Sequence, residues 1–190
     1  TTLPDRIARA IPLIVQATHR AHRALEPLMH GVKGALGKGP LMTSGHVERS
    51  RIIIPEWGCC YASSPGGEIL QFEAIGNNFL SKLRGCVAGM SDREVEEELS
   101  DPSSQLKVLS VNSKSGEVFL TSPHGRFIVK TISDAEAEAL IEMLPQYIDH
   151  ICCTEGSILG HYMGLFRICL GAGHGERYVT IMRSVFDCPL

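Results

Sequence analysis

The sequence predicts an α+β fold, an antiparallel sheet with flanking helices that is preceded by a helical N-terminal segment. Three observations support this prediction. Of the 190 residues, 44% are hydrophobic and 21% charged, a balance typical of globular chains that bury a core. Apolar residues near the start recur at helical spacing, and from Leu106 onward short apolar runs alternate with turn residues, as in strands. We therefore divide the chain into residues 1–40, a helical segment with a linker, and residues 41–190, the main domain.

The first element is a helix predicted over residues 6–36, where apolar residues form one broad stripe. Pro12 and Pro27 are expected to break or bend it, because proline lacks the N–H that a helix interior requires. Three glycines between residues 34 and 40 then indicate a linker. The histidines on this helix, His19 among them, are interpreted as part of a solvated face rather than as metal ligands.

The next region is predicted to hold one strand and two helices. Residues 51–55 are the strand candidate, residues 57–67 are rich in turn formers, and residues 68–100 show helical spacing. Within this helical region, Ser91–Glu94 has the pattern of a capping box, which predicts the start of a short acidic helix. Three consecutive glutamates, residues 96–98, are interpreted as the solvated side of that helix.

Strands dominate the remainder of the chain. Two turns separate the first three strands, which are therefore expected to form an antiparallel meander. A capping box at Ser133–Glu136 begins a helix that is expected to end near Pro145. The predicted strands are residues 108–111, 118–120, 126–132, 158–159 together with 164–168, and 178–182. This order of elements is that of a protein-kinase-like N-lobe.

Lys130 is the misfit in the apolar strand 126–132, because a buried ammonium group is costly unless it is paired. Residues two apart on a strand share a face, so Ile128, Lys130 and Ile132 project together. An aliphatic side chain on that face can cover an adenine ring while the lysine reaches the phosphates, as in a V-A-I-K strand. The alternative is an edge lysine whose ammonium group extends to water.

Composition excludes several classes of function. A formal charge of −3 argues against a nucleic-acid partner. A membrane helix needs about 20 consecutive apolar residues, and no stretch of the sequence approaches that length. No signal peptide is recognisable at the start, so we expect a cytoplasmic protein. The seven cysteines lack the spacing of zinc ligands. We therefore expect reduced, structural thiols and no metal site.

Three stretches of the sequence together resemble the phosphatidylinositol phosphate kinases. They are Ser113-Lys114-Ser115-Gly116, the strand Gly125–Ile132, and the helix end Met143–His150. The family carries a similar S-G-K-S-G turn, an R-F-I-I-K-T-I strand and an M-L-P-x-Y-x-x-H helix end at matching spacing. The resemblance covers roughly residues 28–186 and is closest over residues 110–168.

The resemblance implies an N-lobe of this family over residues 41–190. It also implies a lipid kinase that transfers the γ-phosphate of ATP, with Mg²⁺, to the inositol ring of a phosphatidylinositol monophosphate at a membrane surface. Such a protein would be peripheral to the membrane, and it could form a homodimer through the N-lobe. Because the sequence stops at Leu190, the C-lobe aspartates are expected to be missing and this chain alone is expected to be inactive.

Residue by residue, the resemblance assigns an ATP site. Lys130 matches the lysine that binds the ATP phosphates, and a carboxylate on the following helix, Glu136 or Glu138, is expected to pair with it. Ile128 would cover the adenine. The other matched positions are Ser113, Lys114, Ser115 and Gly116 in the phosphate-covering turn, and Met182 and Ser184 where the last strand leads into the hinge.

Two departures from the family pattern concern this site. Glu117 follows the turn where the family usually has a small or basic residue, which brings a negative charge close to the phosphates. Arg183-Ser184 replaces the usual N-N pair at the hinge. These departures leave open a second hypothesis, in which the chain is a non-catalytic, pseudokinase-like module for interaction or dimerisation.

Overall fold

The computed structural model describes residues 2–30, 46–57, 68–86, 91–100, 105–111, 116–154, 156–170 and 175–185. An N-terminal helix, an antiparallel sheet and flanking helices confirm the predicted α+β class. The elements, in chain order, are α1 (Leu3–His30), β1 (Arg49–Trp57), β2 (Glu68–Ile75), α2 (Asn77–Cys86), α3 (Asp92–Ser100), β3 (Lys107–Val111), β4 (Val118–Thr121), β5 (Phe127–Ile132), α4 (Asp134–Cys153), β6 (Tyr162–Cys169) and β7 (Glu176–Arg183).

Across the described ranges, seven strands form one sheet in the order β1-β2-β6-β7-β5-β4-β3, with every neighbouring pair antiparallel. The predicted meander is confirmed, since β3, β4 and β5 are consecutive in this order. Strand β7 returns to the interior of the sheet and pairs with both β5 and β6. The strand that carries Lys130 is therefore paired on both sides.

Helix α1 shares its core with the sheet. Ile7, Ile11 and Ile14 are buried in the same apolar cluster as Leu120 and Phe127, and α1 contacts β2, β4 and α3. The prolines were expected to break or bend this helix, and the break is wrong, because α1 runs without interruption from residue 3 to residue 30. Burial of the apolar stripe stabilises the helix and offsets the cost of the hydrogen bond that a proline removes. The predicted linker lies outside the described residues.

The helix predicted over residues 68–100 is wrong at its beginning, where residues 68–75 form strand β2. Phe72 and Ala74 are buried while Gln71 and Glu73 are half-buried, which is the alternation of a strand. Gly76 then turns the chain at a φ of +65°, a conformation that glycine adopts without strain, and α2 begins at the next residue.

The helices after α2 begin as predicted but differ in extent and in their buried faces. Both capping boxes are present, at Ser91–Glu94 and at Ser133–Glu136. Helix α4 does not end at Pro145 but continues to Cys153. Glu98 was expected on a solvated face, yet it is only 7% exposed. The expectation for His19 is also wrong, since it is buried, with its Nδ1 3.4 Å from a carboxylate oxygen of Glu96.

The cysteines agree with the sequence-based expectation only in part. Cys153 and Cys169 are free thiols, whereas Cys152 is bonded in a disulfide, so the expectation of reduced thiols is wrong there.

The strand predicted to include residues 158–159 begins later. Ile158 and Leu159 are exposed and precede β6 instead of belonging to it. No helix within the described part of the chain is long and apolar enough to cross a membrane.

Candidate functional site

Lys130 stands on the less buried side of β5. Phe127, Val129 and Thr131 are buried, and the alternate residues Ile128, Lys130 and Ile132 are half-buried, so the predicted shared face of these three is present. The Lys130 side chain is 22% exposed. Its ammonium group is therefore close to the surface and still within reach of neighbouring side chains.

Of the carboxylates whose positions the structure describes, that of Glu136 is nearest to this lysine. Its Oε1 accepts a hydrogen bond from Lys130 Nζ at 3.2 Å, while its Oε2 accepts from the Ser133 N–H and hydroxyl, both at 2.8 Å. Ser133 first and Lys130 second hold the pKa of Glu136 below its usual range. One side chain thus caps α4 and fixes the lysine at the junction of β5 with that helix.

Two further residues, Glu117 and Phe119, lie close to the ammonium group. A carboxylate oxygen of Glu117 lies 3.8 Å from Lys130 Nζ. The Phe119 ring, whose centroid is 5.5 Å from the same nitrogen, comes from the residue directly opposite Lys130 on β4. A cation over an aromatic face is a favourable contact. The ammonium group therefore has a carboxylate and an aromatic ring beside it.

Strand β7 brings Met182 beside Ile128. These two residues are register partners, as are Lys130 and Thr180, so Met182 lies on the same face as the lysine. Tyr162 lies opposite Met182 on β6, and its ring contacts Tyr147 of α4 edge to face at 5.6 Å. Helix α4 therefore covers part of this face, and an apolar surface adjoins the lysine.

The other predicted site residues fall at different places. Gly116 has a φ of +69° and is exposed, immediately before Glu117. Ser184 is buried just beyond β7, and its N–H donates to the Arg126 carbonyl at 2.8 Å. Ser113, Lys114 and Ser115 lie outside the described residues.

Glu138 does not join the site. It is exposed and lies two residues beyond Glu136 on α4, about 200° around the helix. Among the residues whose side chains are described, Glu117 and Glu136 are the carboxylates within ion-pair distance of Lys130.

A second polar cluster holds the turn between β4 and β5. The buried Glu98 of α3 accepts from the Ser122 hydroxyl at 2.6 Å and from the His124 N–H at 3.1 Å, and its other oxygen lies 2.8 Å from His124 Nδ1. Burial by itself raises the pKa of Glu98, but the hydrogen bonds from Ser122 and His124 outweigh it and leave that pKa lowered. The cluster ties α3 to the strand that carries Lys130.

Sequence reasoning missed Phe119 and Glu98. Phe119 was detectable in principle, because the length of the turn between two strands sets which residues oppose each other. Glu98 carried no local signal, since its partners lie 24 and 26 residues further along the chain.

The geometry around Lys130 is suited to binding an anion next to an apolar ring. A lysine held at a fixed position offers a charge-assisted hydrogen bond, and Ile128 and Met182 supply the neighbouring apolar surface. Within the described ranges, no group of three or more His, Cys, Asp or Glu residues could hold a metal ion.

Comparisons with known proteins point to one family. A family model described as phosphatidylinositol-4-phosphate 5-kinase matches residues 100–190. The chain is similar to phosphatidylinositol 4-phosphate 5-kinase 9 of Arabidopsis thaliana, with 37% identity over 81 residues, and to a probable phosphatidylinositol phosphate kinase of Dictyostelium discoideum, with 36% identity over 88 residues. It is also similar to phosphatidylinositol 4-phosphate 5-kinase-like protein 1 of Homo sapiens, with 31% identity over 98 residues.

These relatives are much longer than the matched segment. The alignments cover 43%, 46% and 52% of this chain, and 10%, 12% and 24% of the Arabidopsis, Dictyostelium and human proteins, respectively. The match to the family model includes the lysine strand, the capped helix and the returning strands β6 and β7, since all of them lie within residues 100–190.

Proposed function

We propose that the chain belongs to the phosphatidylinositol phosphate kinase family, and that residues 41–190 are the N-lobe of a lipid kinase and bind the phosphates of ATP. The complete kinase would transfer the γ-phosphate to the inositol ring of a phosphatidylinositol monophosphate at a membrane surface. The kinase would be cytoplasmic and peripheral to that membrane.

The ion pair between Lys130 and Glu136 carries the proposal. In protein kinases a lysine on the corresponding strand pairs with a glutamate on the following helix, and both must be in place for phosphoryl transfer. Here the two side chains meet at 3.2 Å across the same kind of junction. The capping bonds to Ser133 hold the glutamate in position, which supports a lysine that is already oriented before nucleotide arrives.

The residues on this face fit the two chemical parts of ATP. Lys130 would contact the phosphates, and Gly116 would allow the backbone of the turn to approach them, because glycine leaves no side chain in the way. Ile128 and Met182 would pack against the adenine. Ser184 would position the chain at the hinge. Bound Mg²⁺ would offset the charge of the phosphates and would arrive with the nucleotide.

The proposal is tested by titrating the 190-residue chain with Mg·ATP in a calorimeter and repeating the titration with Lys130→Met. Charge-assisted hydrogen bonds contribute about 1.5–3 kcal/mol, so the variant should bind at least about tenfold more weakly. Lys82→Met, which removes an exposed lysine of α2, is the matched control and should bind like the wild type. Equal affinity of Lys130→Met and the wild type would overturn the assignment.

Catalysis is tested in a chimera. Residues 105–185 would replace the matching segment of the Arabidopsis relative, and transfer of labelled phosphate to phosphatidylinositol 4-phosphate in vesicles would be measured. We expect activity that Lys130→Met abolishes. Continued turnover in the variant would show that Lys130 does not serve the reaction.

A second candidate function is a non-catalytic module that interacts or dimerises through the N-lobe. The position of Glu117 beside Lys130 favours it, because a lysine flanked by two carboxylates has less charge to offer to a nucleotide. Sedimentation of the 190-residue chain over a range of concentrations measures its self-association. A mass that rises to that of a dimer, together with the absence of Mg·ATP binding, would support this candidate over the first.

A further inference from the structure

Glu117 lies beside Lys130, within ion-pair distance of its ammonium group. It follows Gly116 directly and precedes Phe119 by two residues, so Glu117 and Phe119 share a face, and Phe119 is the register partner of Lys130. Its carboxylate lies 3.8 Å from the ammonium group, and its side chain is 23% exposed. The phosphate-covering turn that the family resemblance implies, residues 113–116, ends immediately before Glu117.

The two carboxylates beside Lys130 are held in different ways. Glu136 is within hydrogen-bond distance of the lysine and is fixed by two further bonds to Ser133. Glu117 is too far for a good hydrogen bond, and in the part of the chain that the structure describes it accepts none. The preceding Gly116 is exposed, and a Cβ placed there would meet open space. Of the two carboxylates, Glu117 is the one that can be exchanged for another anion.

The local charge makes such an exchange consequential. One ammonium group and two carboxylates within 4 Å of it sum to a net charge of −1. A phosphate oxygen forms short, strong bonds to a lysine, but here it would arrive next to a like charge, and like charges at such distances repel. Binding therefore favours a state in which Glu117 has moved away from Lys130.

We propose that Glu117 is an intramolecular competitor for the position at Lys130 that a nucleotide phosphate takes, so that it sets the affinity of this chain for ATP. The inference rests on the proposed function, because it concerns the same nucleotide site. It goes further in assigning to one residue a role in weakening that site.

The test compares calorimetric affinities of the wild type, Glu117→Gln and Lys130→Met for Mg·ATP and for adenosine, all in the 190-residue chain. Glutamine keeps the size of the side chain and removes its charge. We expect Glu117→Gln to bind Mg·ATP about tenfold more tightly, which corresponds to one interaction of about 1.4 kcal/mol, and to bind adenosine as the wild type does. Glu142→Gln, a change at an exposed carboxylate of α4, should leave both affinities unchanged.

Each outcome decides one of the two ideas. If Lys130→Met loses Mg·ATP while Glu117→Gln binds it no better than the wild type, the competitor role is wrong and the nucleotide site stands. If Lys130→Met binds like the wild type, or no variant binds, the proposed function fails and the competitor role fails with it. An equal gain for adenosine and Mg·ATP would also overturn the competitor role, because adenosine carries no phosphate. Glu117→Ser, which restores a small residue, should reproduce the gain, and thermal unfolding would show that both variants fold.

Discussion

The ammonium group of Lys130 lies 3.2 Å from the carboxylate of Glu136 at the point where β5 gives way to α4. Because the same carboxylate caps the helix through Ser133, the position of the lysine and the start of α4 depend on each other. A change at any one of these three side chains should therefore affect both the stability of the fold and anion binding. The size of each effect should differ from one substitution to another.

Substitutions at Ser133 and Glu136 should separate these properties. Ser133→Ala removes the acceptor for the Glu136 N–H and should lower the free energy of unfolding by about 1 kcal/mol, with a small effect on Mg·ATP binding. Glu136→Gln keeps an acceptor for the cap and removes the ion pair, so it should mainly weaken Mg·ATP binding. Urea denaturation and calorimetry on both variants provide the measurements.

The two glutamates beside the lysine should act in opposite directions. Glu136 orients the ammonium group, so its neutralisation weakens binding, whereas neutralisation of Glu117 strengthens it. If both variants strengthened binding by similar factors, charge alone would govern the site and the orienting role of Glu136 would be refuted.

Glu98 should make stability depend on pH. Its pKa in the folded protein is lowered from 4.5, so its contribution to stability is present above pH 4.5 and is lost as the pH falls through the folded-state pKa. Glu98→Gln should therefore reduce the loss of stability in acid, and it should cost about 1–2 kcal/mol at neutral pH by weakening the bonds to Ser122 and His124. Urea denaturation at several pH values from about 6 to about 3 measures both effects.

Glu97→Gln is the control for this experiment, because Glu97 lies on the same helix and is exposed. Its acid profile should match that of the wild type. An unchanged profile for Glu98→Gln would show that the buried carboxylate does not contribute to the pH dependence.

Gly76→Ala should destabilise the fold strongly. A Cβ at Gly76 would clash with Cδ2 of Leu144, and the φ of +65° is itself strained for alanine. We expect a loss of about 2–4 kcal/mol in the free energy of unfolding, from strain and overpacking together. Gly156→Ala, at a φ of +74° with open space around it, should lose only about 1 kcal/mol. Similar losses at both positions would mean that the packing against Leu144 is not tight.

Ile11→Ala tests whether α1 and the sheet form one folding unit. Ile11 is fully buried in the common core, so its truncation should cost about 2–4 kcal/mol. If the unit is cooperative, the whole unfolding transition shifts to lower denaturant with its slope unchanged. Arg20→Ala, at an exposed position of the same helix, is the control. A separate early transition in Ile11→Ala would support a helical segment that folds independently of the main domain.

Sequence predicted the part of the fold whose signals are local. Strands β3 to β5 and the start of α4 follow from turn residues and a capping box within a few positions. The family resemblance then implied Glu136 as one of two candidate partners for Lys130. The choice between Glu136 and Glu138 needed the direction of each side chain around the helix. The position of Glu117 against the lysine also needed the structure, because it depends on the register of the β4–β5 pair.

Non-local packing explains the errors. Phe72, Ile75 and Phe79 have helical spacing, yet the first two lie on β2 and only the third on α2, and Gly76 between them was the sole sign of a change. Pro145 would end an isolated helix, but Leu144 and Ile148 on either side of it are buried in the core. Burial of Glu98 depends on a turn that the chain reaches more than twenty residues later.

The hydrogen bonds between Glu98 and the β4–β5 turn help to fix which way Lys130 points. Ser122 bonds at the same time to Glu98 and, through the same oxygen, to the N–H of Phe127, the first residue of β5. A slip of β5 by one residue would exchange the two faces of the strand, turning Lys130 into the core and Val129 towards the surface. The buried carboxylate opposes that slip by fixing where β5 begins, so an acidic residue on α3 keeps the positive charge on the outside of the sheet.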